Sequence, residues 1–555
     1  MRLASACALL LPFGCYAGHQ GSASGGGDGD ASADDGGSGD DGGTADDGPA
    51  PTLECEAIGT QPLRRLSSEQ YRQVLTELLP GAFGTAALAA STFPATAIDS
   101  GFSTYATANT VSTNESIAIE DNAEAIAAVF AGDIDTYAPE LVPCLSAGFG
   151  DDDIDACIDG FIADFGRRAF RRPLTEGEST VIGQLYAGIA AEDGARAGLT
   201  AVVQYFVQAP ALLYATEQSD DGDSYTVLSP DELAVRLGLL FNNGAPDAEL
   251  LAAVDEGDLR TREDVEREAR RMVGLPAAQR AFATFHHEWM SGFELESAQR
   301  EHPLMTPEAE EALATELRAF ATWFLTETDG SFETLMTTEA FPVDTQLAPI
   351  YGAGGGGARR GLLTTAAAMA SHAYDDRTSL VERGAFIRNH VLCNPTPAFP
   401  GDIDIEGTLG GSADLPTARG RLEPLMVDAA CSGCHSGINP LGFPFEAYDW
   451  VGAYRTTEND APIDVSTDID IGSLSGSFAD AGELIAGIAG TDEARDCYAT
   501  HWFRYALGRP ETPDDACALG EIKADFAEAE GDVRELLVAI ATSDAFMFRK
   551  SGGGQ

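Results

Sequence analysis

Two cysteines and a histidine stand together at Cys431-Ser432-Gly433-Cys434-His435. This Cys-x-x-Cys-His spacing is the attachment pattern of a c-type haem, in which both sulfurs form thioethers and the histidine becomes the proximal iron ligand. Thiols one helical turn apart reach the two vinyl groups, and the next residue turns its imidazole beneath the iron. The alternatives are half of a zinc site, a redox dithiol and an ordinary disulfide. Zinc needs two more ligands, usually a second close pair, and none sits nearby in sequence. A thioredoxin-like dithiol opens a helix after a buried strand, whereas Arg419-Gly420-Arg421-Leu422-Glu423-Pro424-Leu425-Met426 precedes the motif without one.

One covalent haem c is therefore the expected cofactor, and its second axial ligand decides the chemistry. A protein ligand closes the iron for electron transfer, while an open position admits peroxide or oxygen. His501 is the leading candidate, followed by Met547 and by Met369, His372 and His390. Met426 is too close to the motif to reach the far face. Arg455, Arg504 and Arg509 are candidates to pair with the propionates. Three functions stay open: electron transfer with a separate redox partner protein, a haem-dependent peroxidase or oxygenase, and a cell-surface binding or scaffold protein with structural haem. Paired carboxylates carry no weight as a signal, since 89 acidic residues make chance pairings common.

The formal net charge is -56, and only Lys523 and Lys550 are lysines. Phosphate binding needs a basic footprint, so nucleic acid is excluded as a partner. Residues 1–15 read as a signal peptide: Arg2 precedes an apolar stretch from Ala4 to Phe13, and Gly14-Cys15 resembles a lipobox. That predicts export to the periplasm or cell surface, with lipidated Cys15 as the membrane attachment on the outer membrane and a cell-envelope component as a further possible partner. Export suits haem c, which matures outside the cytoplasmic membrane. Residues 16–54 carry eight aspartates between Asp28 and Asp47 and no lysine or arginine, so they read as a disordered linker.

The expected fold is mainly all-α and multidomain, with a cytochrome-c-like haem region near the C-terminus. Residues 55–220 read as a first helical domain. Ser67 or Ser68 caps a helix that buries Tyr71, Val74, Leu75 and Leu78; Pro173 ends another, and Thr175 with Glu178 forms the next capping box. Residues 228–350 read as a second, opened by Ser229-Pro230-Asp231-Glu232. Within it His286-His287-Glu288-Trp289 lacks a zincin partner histidine and reads as packed helix. The glycine run 352–357 lacks the Lys-Ser/Thr ending of a phosphate loop. Residues 355–455 form the unit carrying the motif, and residues 456–548 add a weakly hairpin-like segment and closing helices.

The chain resembles the large exported multidomain proteins of planctomycetes and myxobacteria. The matching segments are Leu63-Arg64-Arg65-Leu66, Arg168-Ala169-Phe170-Arg171-Arg172-Pro173, Leu228 to Ala234 with Pro246-Asp247, and Arg360-Gly361-Leu362-Leu363. They continue through Thr378-Ser379, Arg383-Gly384, Cys393, Cys431 to Asp449, Tyr505 to Arg509, and Ser543-Asp544-Ala545-Phe546. Those proteins are built of domains of unknown function numbered roughly 1585 to 1595, so the resemblance implies a cytochrome-c-like motif but no activity. Asn439 and Leu380 depart from the family's usual acidic residue and proline.

Six further cysteines suit three disulfides. Spacing favours Cys144–Cys157 and Cys497–Cys517, leaving Cys55–Cys393.

Overall fold

The computed structural model describes residues 51–93, 97–99, 101–149, 154–215, 225–296, 299–340, 342–352, 359–396, 415–429 and 431–550. The signal peptide with Cys15, nearly all of the acidic linker, most of the glycine run 352–357 and the end of the proline-spaced stretch lie outside them. The chain is mainly helical and multidomain, as its apolar periodicity predicts.

Seven helices of eight residues or more make up the first region: Ser68–Leu78, Gly81–Ala90, Thr113–Gly132, Ile134–Leu141, Ile154–Phe170, Glu176–Asp193 and Ala195–Gln208. Their starts follow from side chains that satisfy the orphan N–H groups of a first turn: Ser67 with Gln70, Ser112 with Glu115 and Thr175 with Glu178 form reciprocal capping boxes. Tyr71, Val74, Leu75 and Leu78 face inward at helical spacing. They join Phe83, Phe130, Phe165 and Phe206 in one apolar core. The region closes on itself through a two-residue antiparallel pairing of Arg64–Arg65 with Tyr214–Ala215.

A second continuous core runs from Leu228 to Phe548 and takes in Cys55, Ile58, Phe102 and Tyr105 from the earlier part of the chain. Ser229 caps Pro230–Leu237, and that helix runs into a single π-helical turn, Gly238–Asn242. The long helices Pro276–Trp289, Pro307–Glu327 and Asp492–Leu507 pack around an aromatic stack in which the Phe285 and Trp502 rings lie 3.7 Å apart. The hairpin-like segment is a hairpin, with Thr467 opposite Phe478. The final strand Phe548–Lys550 pairs with Tyr225–Val227, returning the chain end to the start of this region.

Among the described residues, three disulfides brace the fold. Cys144–Cys157 forms as expected. The other two are Cys55–Cys517 and Cys393–Cys497, which corrects the pairs expected from spacing. The reason is facial. Cys497 sits on the buried side of its helix, where its Sγ lies 3.4 Å from the His390 carbonyl oxygen, beside Cys393. Cys517 sits on the exposed side of the next helix, where Cys55 is held because Asp544 accepts the N–H groups of Glu54 and Cys55 at 2.6 and 2.7 Å.

Candidate thiol site

The Cys-x-x-Cys-His motif opens the helix Ser432–Gly442: Cys431 is the residue at its N-terminal boundary, and Cys434 and His435 belong to its first turn. Positions i, i+3 and i+4 share a helix face, so the three side chains project from one side. Cys431 is buried; Cys434 and His435 are half-buried. The donor atoms of these three residues do not converge within 4.8 Å, so they form no ready-made three-ligand ion site.

The helix is placed by backbone contact. A Cβ at Gly384 would lie 2.2 Å from the Ile438 carbonyl oxygen, and one at Gly442 would lie 2.0 Å from the Leu380 carbonyl oxygen. The helices Leu380–Phe386 and Ser432–Gly442 therefore touch main chain to main chain, which only glycine permits here. Arg383, fully buried beside this crossing, donates to the carbonyl oxygens of Phe445, Tyr448, Met369 and Asp449 at 2.7–2.9 Å. Burial lowers its guanidinium to about 9. Asn439 orients the histidine: its Oδ1 lies 3.0 Å from His435 Nδ1. An amide oxygen only accepts, so Nδ1 carries a proton in this contact and Nε2 is the nitrogen turned away from Asn439.

A carboxyl pair, Glu446 buried and Glu458 half-buried, lies just beyond the helix. Glu446 is fully buried, with one oxygen accepting the Arg419 N–H at 3.1 Å, and burial followed by the neighbouring Glu458 raises its pKa. Glu458 is held low by Arg421 and by the Ala418 N–H against the opposing effect of burial.

The residues expected around a haem serve other purposes. His501 Nε2 lies 3.9 Å from Sγ of Cys393, which is bonded to Cys497, and its ring stacks on His390 at 5.8 Å. Arg504 forms a two-pronged pair with Glu511 at 2.5 and 2.6 Å. Arg509 does the same with buried Asp515 at 2.7 and 2.8 Å, and Asp515 also accepts the Gly59 N–H. Arg455 donates to the Glu446 carbonyl oxygen at 3.2 Å and to Thr378 at 3.3 Å. Met547 and Met369 are core residues. His372 and His390 stack on opposite sides in sequence of the same Phe386 ring, at 4.1 and 5.5 Å, and burial drives them down to about 3 and about 4.

These placements correct the haem expectation. Among the described residues, the cysteine clusters whose donor atoms converge are Cys393 and Cys497 with His501, and Cys55 and Cys517 with Glu521. Both cysteine pairs are closed into disulfides. Covalent haem c, its iron, electron transfer, peroxidase or oxygenase chemistry and structural haem are accordingly withdrawn as readings. Cys431 and Cys434 themselves belong to none of the three disulfides.

Sequence reasoning missed the Arg383 anchor, the Glu446–Glu458 pair and the cluster at Cys393. The spacing Cys497-x-x-x-His501 carried one usable signal, because i and i+4 share a helix face. Nothing local points to Cys393 as its neighbour.

Among the described residues, no helix is long and apolar enough to cross a membrane. Four family models match the chain, each described as a protein of unknown function: DUF1595 at residues 157–217, DUF1592 at 228–353, DUF1588 at 359–458 and DUF1585 at 476–546. No curated protein and no solved structure matches it. The DUF1588 segment contains the whole Cys431–Gly442 helix with its Arg383–Gly384 support, and the four segments together span more than half of the sequence. The chain belongs to the multidomain family assembled from these consecutive segments of unknown function.

Proposed function

We propose that the protein is an exported, disulfide-braced helical scaffold whose working site is the Cys431/Cys434 pair, acting in thiol–disulfide exchange with a partner protein. The observation that carries this reading is the placement of two sulfurs at i and i+3 on the opening turn of one rigidly seated helix. Cys434 is the more accessible sulfur and meets the partner; Cys431, buried behind it, resolves the mixed disulfide.

In the reducing direction the Cys434 thiolate attacks one sulfur of the partner's disulfide. The partner's S–S bond breaks and its other sulfur leaves as a thiolate, which takes a proton from solvent. The Cys431 thiolate then attacks Cys434 Sγ and expels the second partner sulfur. The partner disulfide gains two electrons and becomes a dithiol, and Cys431–Cys434 becomes the disulfide; a partner dithiol runs the same steps backwards. The His435 imidazole, with Nδ1 turned to Asn439, is the base this reading assigns to the Cys434 thiol. The expected signal peptide and lipobox-like Cys15 support a site outside the cytoplasm, tethered by the acidic linker.

The test is intact-mass and exchange measurement on the exported protein. Cys431→Ser should trap a mixed disulfide with a disulfide-bearing probe peptide, and Cys434→Ser should trap none. A covalent group carried by both sulfurs in the purified protein, or equal exchange by both variants, overturns the reading.

A further inference from the structure

We infer that the Cys393–Cys497 disulfide and His501 form a redox-gated binding site for a thiophilic divalent cation of the zinc class, masked while the disulfide is closed. Nothing in this inference depends on Cys431 and Cys434.

The geometry is that of a ligand set. The two sulfurs and one His501 ring nitrogen lie within 4.8 Å of one another. Zinc–thiolate bonds of about 2.3 Å and zinc–imidazole bonds of about 2.0 Å place tetrahedral ligand atoms about 3.6–3.8 Å apart. His501 Nε2 already stands 3.9 Å from Cys393 Sγ. Opening the S–S bond lets the sulfurs part toward that separation without moving the helix that carries both Cys497 and His501, four residues apart.

The chemistry of the position agrees. His501 Nδ1 is buried without a hydrogen-bond partner, while Nε2 faces the Cys393 sulfur. Two thiolates with one divalent cation carry no net charge, which suits a site where Cys497 and His501 are buried. Cys393 is only half-buried, which leaves a route for the ion and for an exogenous fourth ligand. Cys393 also has φ +47°, a left-handed conformation unusual for a residue with a side chain, and it points the sulfur back toward Cys497.

The opening step consumes two electrons and two protons from a dithiol reductant, which becomes a disulfide. Cation binding then releases the two thiol protons.

The experiment uses the full chain, treated with a phosphine reductant and then with or without zinc, followed by iodoacetamide and peptide mass spectrometry. Zinc should abolish alkylation of both Cys393 and Cys497. His501→Gln, checked for folding by circular dichroism, should lose that protection, whereas Cys431→Ser/Cys434→Ser should keep it. Cobalt in place of zinc should give a thiolate charge-transfer band with the same dependence on the variants. Equal alkylation with and without zinc, retained protection in His501→Gln, or a disulfide that stays closed in the folded protein under reductant each overturns the inference.

Discussion

In the N-terminal helical region the buried Arg171 guanidinium donates to the carbonyl oxygens of Leu212 and Tyr214 at 2.9 and 2.8 Å and to Ala211 at 3.3 Å. In the C-terminal region the buried Arg383 guanidinium donates to Met369, Phe445, Tyr448 and Asp449. Both answer the same problem: chain ends and turns enclosed by helices have carbonyls that water cannot reach. A guanidinium, with five donors in a fixed fork, satisfies several at once. Arg171 ties its own helix end to one neighbouring segment. Arg383 joins three segments, including the turn that follows the thiol-site helix.

The disulfides repeat the contrast. Cys144–Cys157 spans 13 residues and stays within the first region, while Cys393–Cys497 and Cys55–Cys517 span 104 and 462. All four tryptophans, Trp289, Trp323, Trp450 and Trp502, lie in the second region. Tryptophan fluorescence therefore reports one region, and far-ultraviolet circular dichroism reports both.

Arg383→Met should have the largest effect, because it removes the guanidinium from four buried carbonyls, two of which, those of Phe445 and Asp449, keep only a backbone N–H from Tyr448 and Gly452; removing one partner from such a network costs about 3–5 kcal/mol. In denaturant titrations the fluorescence transition should move to lower concentration, leaving a dichroism phase from the first region. Arg171→Met should do the reverse. A single shared transition in both variants would show that the two regions unfold as one unit and would break the comparison.

Gly384→Ala forces a Cβ against the Ile438 carbonyl, and overpacking of this kind costs about 1–3 kcal/mol. The thiol-site helix must shift away, so alkylation of buried Cys431 should accelerate relative to the parent protein. An unchanged rate would mean that the crossing does not position the site.

Cys144→Ser/Cys157→Ser should lose about 3 kcal/mol, the chain-entropy value for a loop of this size. The loss should appear in dichroism and leave the fluorescence midpoint where it was. Movement of the fluorescence midpoint would show coupling between the regions.

The smallest effect is a difference in pH dependence. Burial pushes the Glu288 carboxyl up to about 7, although it accepts the Ser103 N–H and hydroxyl at 3.0 and 2.6 Å. A folded value above the unfolded one means that the native state holds the proton more tightly. That contribution is complete below the unfolded value and is lost as pH rises through about 7. Glu288→Gln should remove this slope, so its stability relative to the parent should rise by on the order of 2 kcal/mol between pH 5 and pH 8. A constant difference across that range would show that Glu288 is ionised throughout.

The helices were legible because their cause is local. Ser67, Thr175 and Ser229 announce starts, and Val74, Leu75 and Leu78 announce a buried face, within a turn or two of the residues that respond. Arg171 and Arg383-Gly384 stood out as family motif residues, but their role as carbonyl anchors and a close crossing did not. The partners of Arg383 lie 14 to 66 residues away. The candidate site divides in the same way: the Cys431–His435 face follows from helical periodicity alone, whereas the cofactor inferred from it did not survive the placement of the other cysteines.

What the sequence determined by itself is the helical class, the capped helix starts, the local Cys144–Cys157 bond and the shared face of Cys431, Cys434 and His435, because each rests on interactions between residues close along the chain. Only the tertiary structure decided that Cys55 meets Cys517, that Cys393 and Cys497 close beside His501, and that Arg504 and Arg509 answer Glu511 and Asp515. A pairing depends on which helix faces meet once the cores have packed, and no spacing along the chain encodes the angle at which distant helices cross.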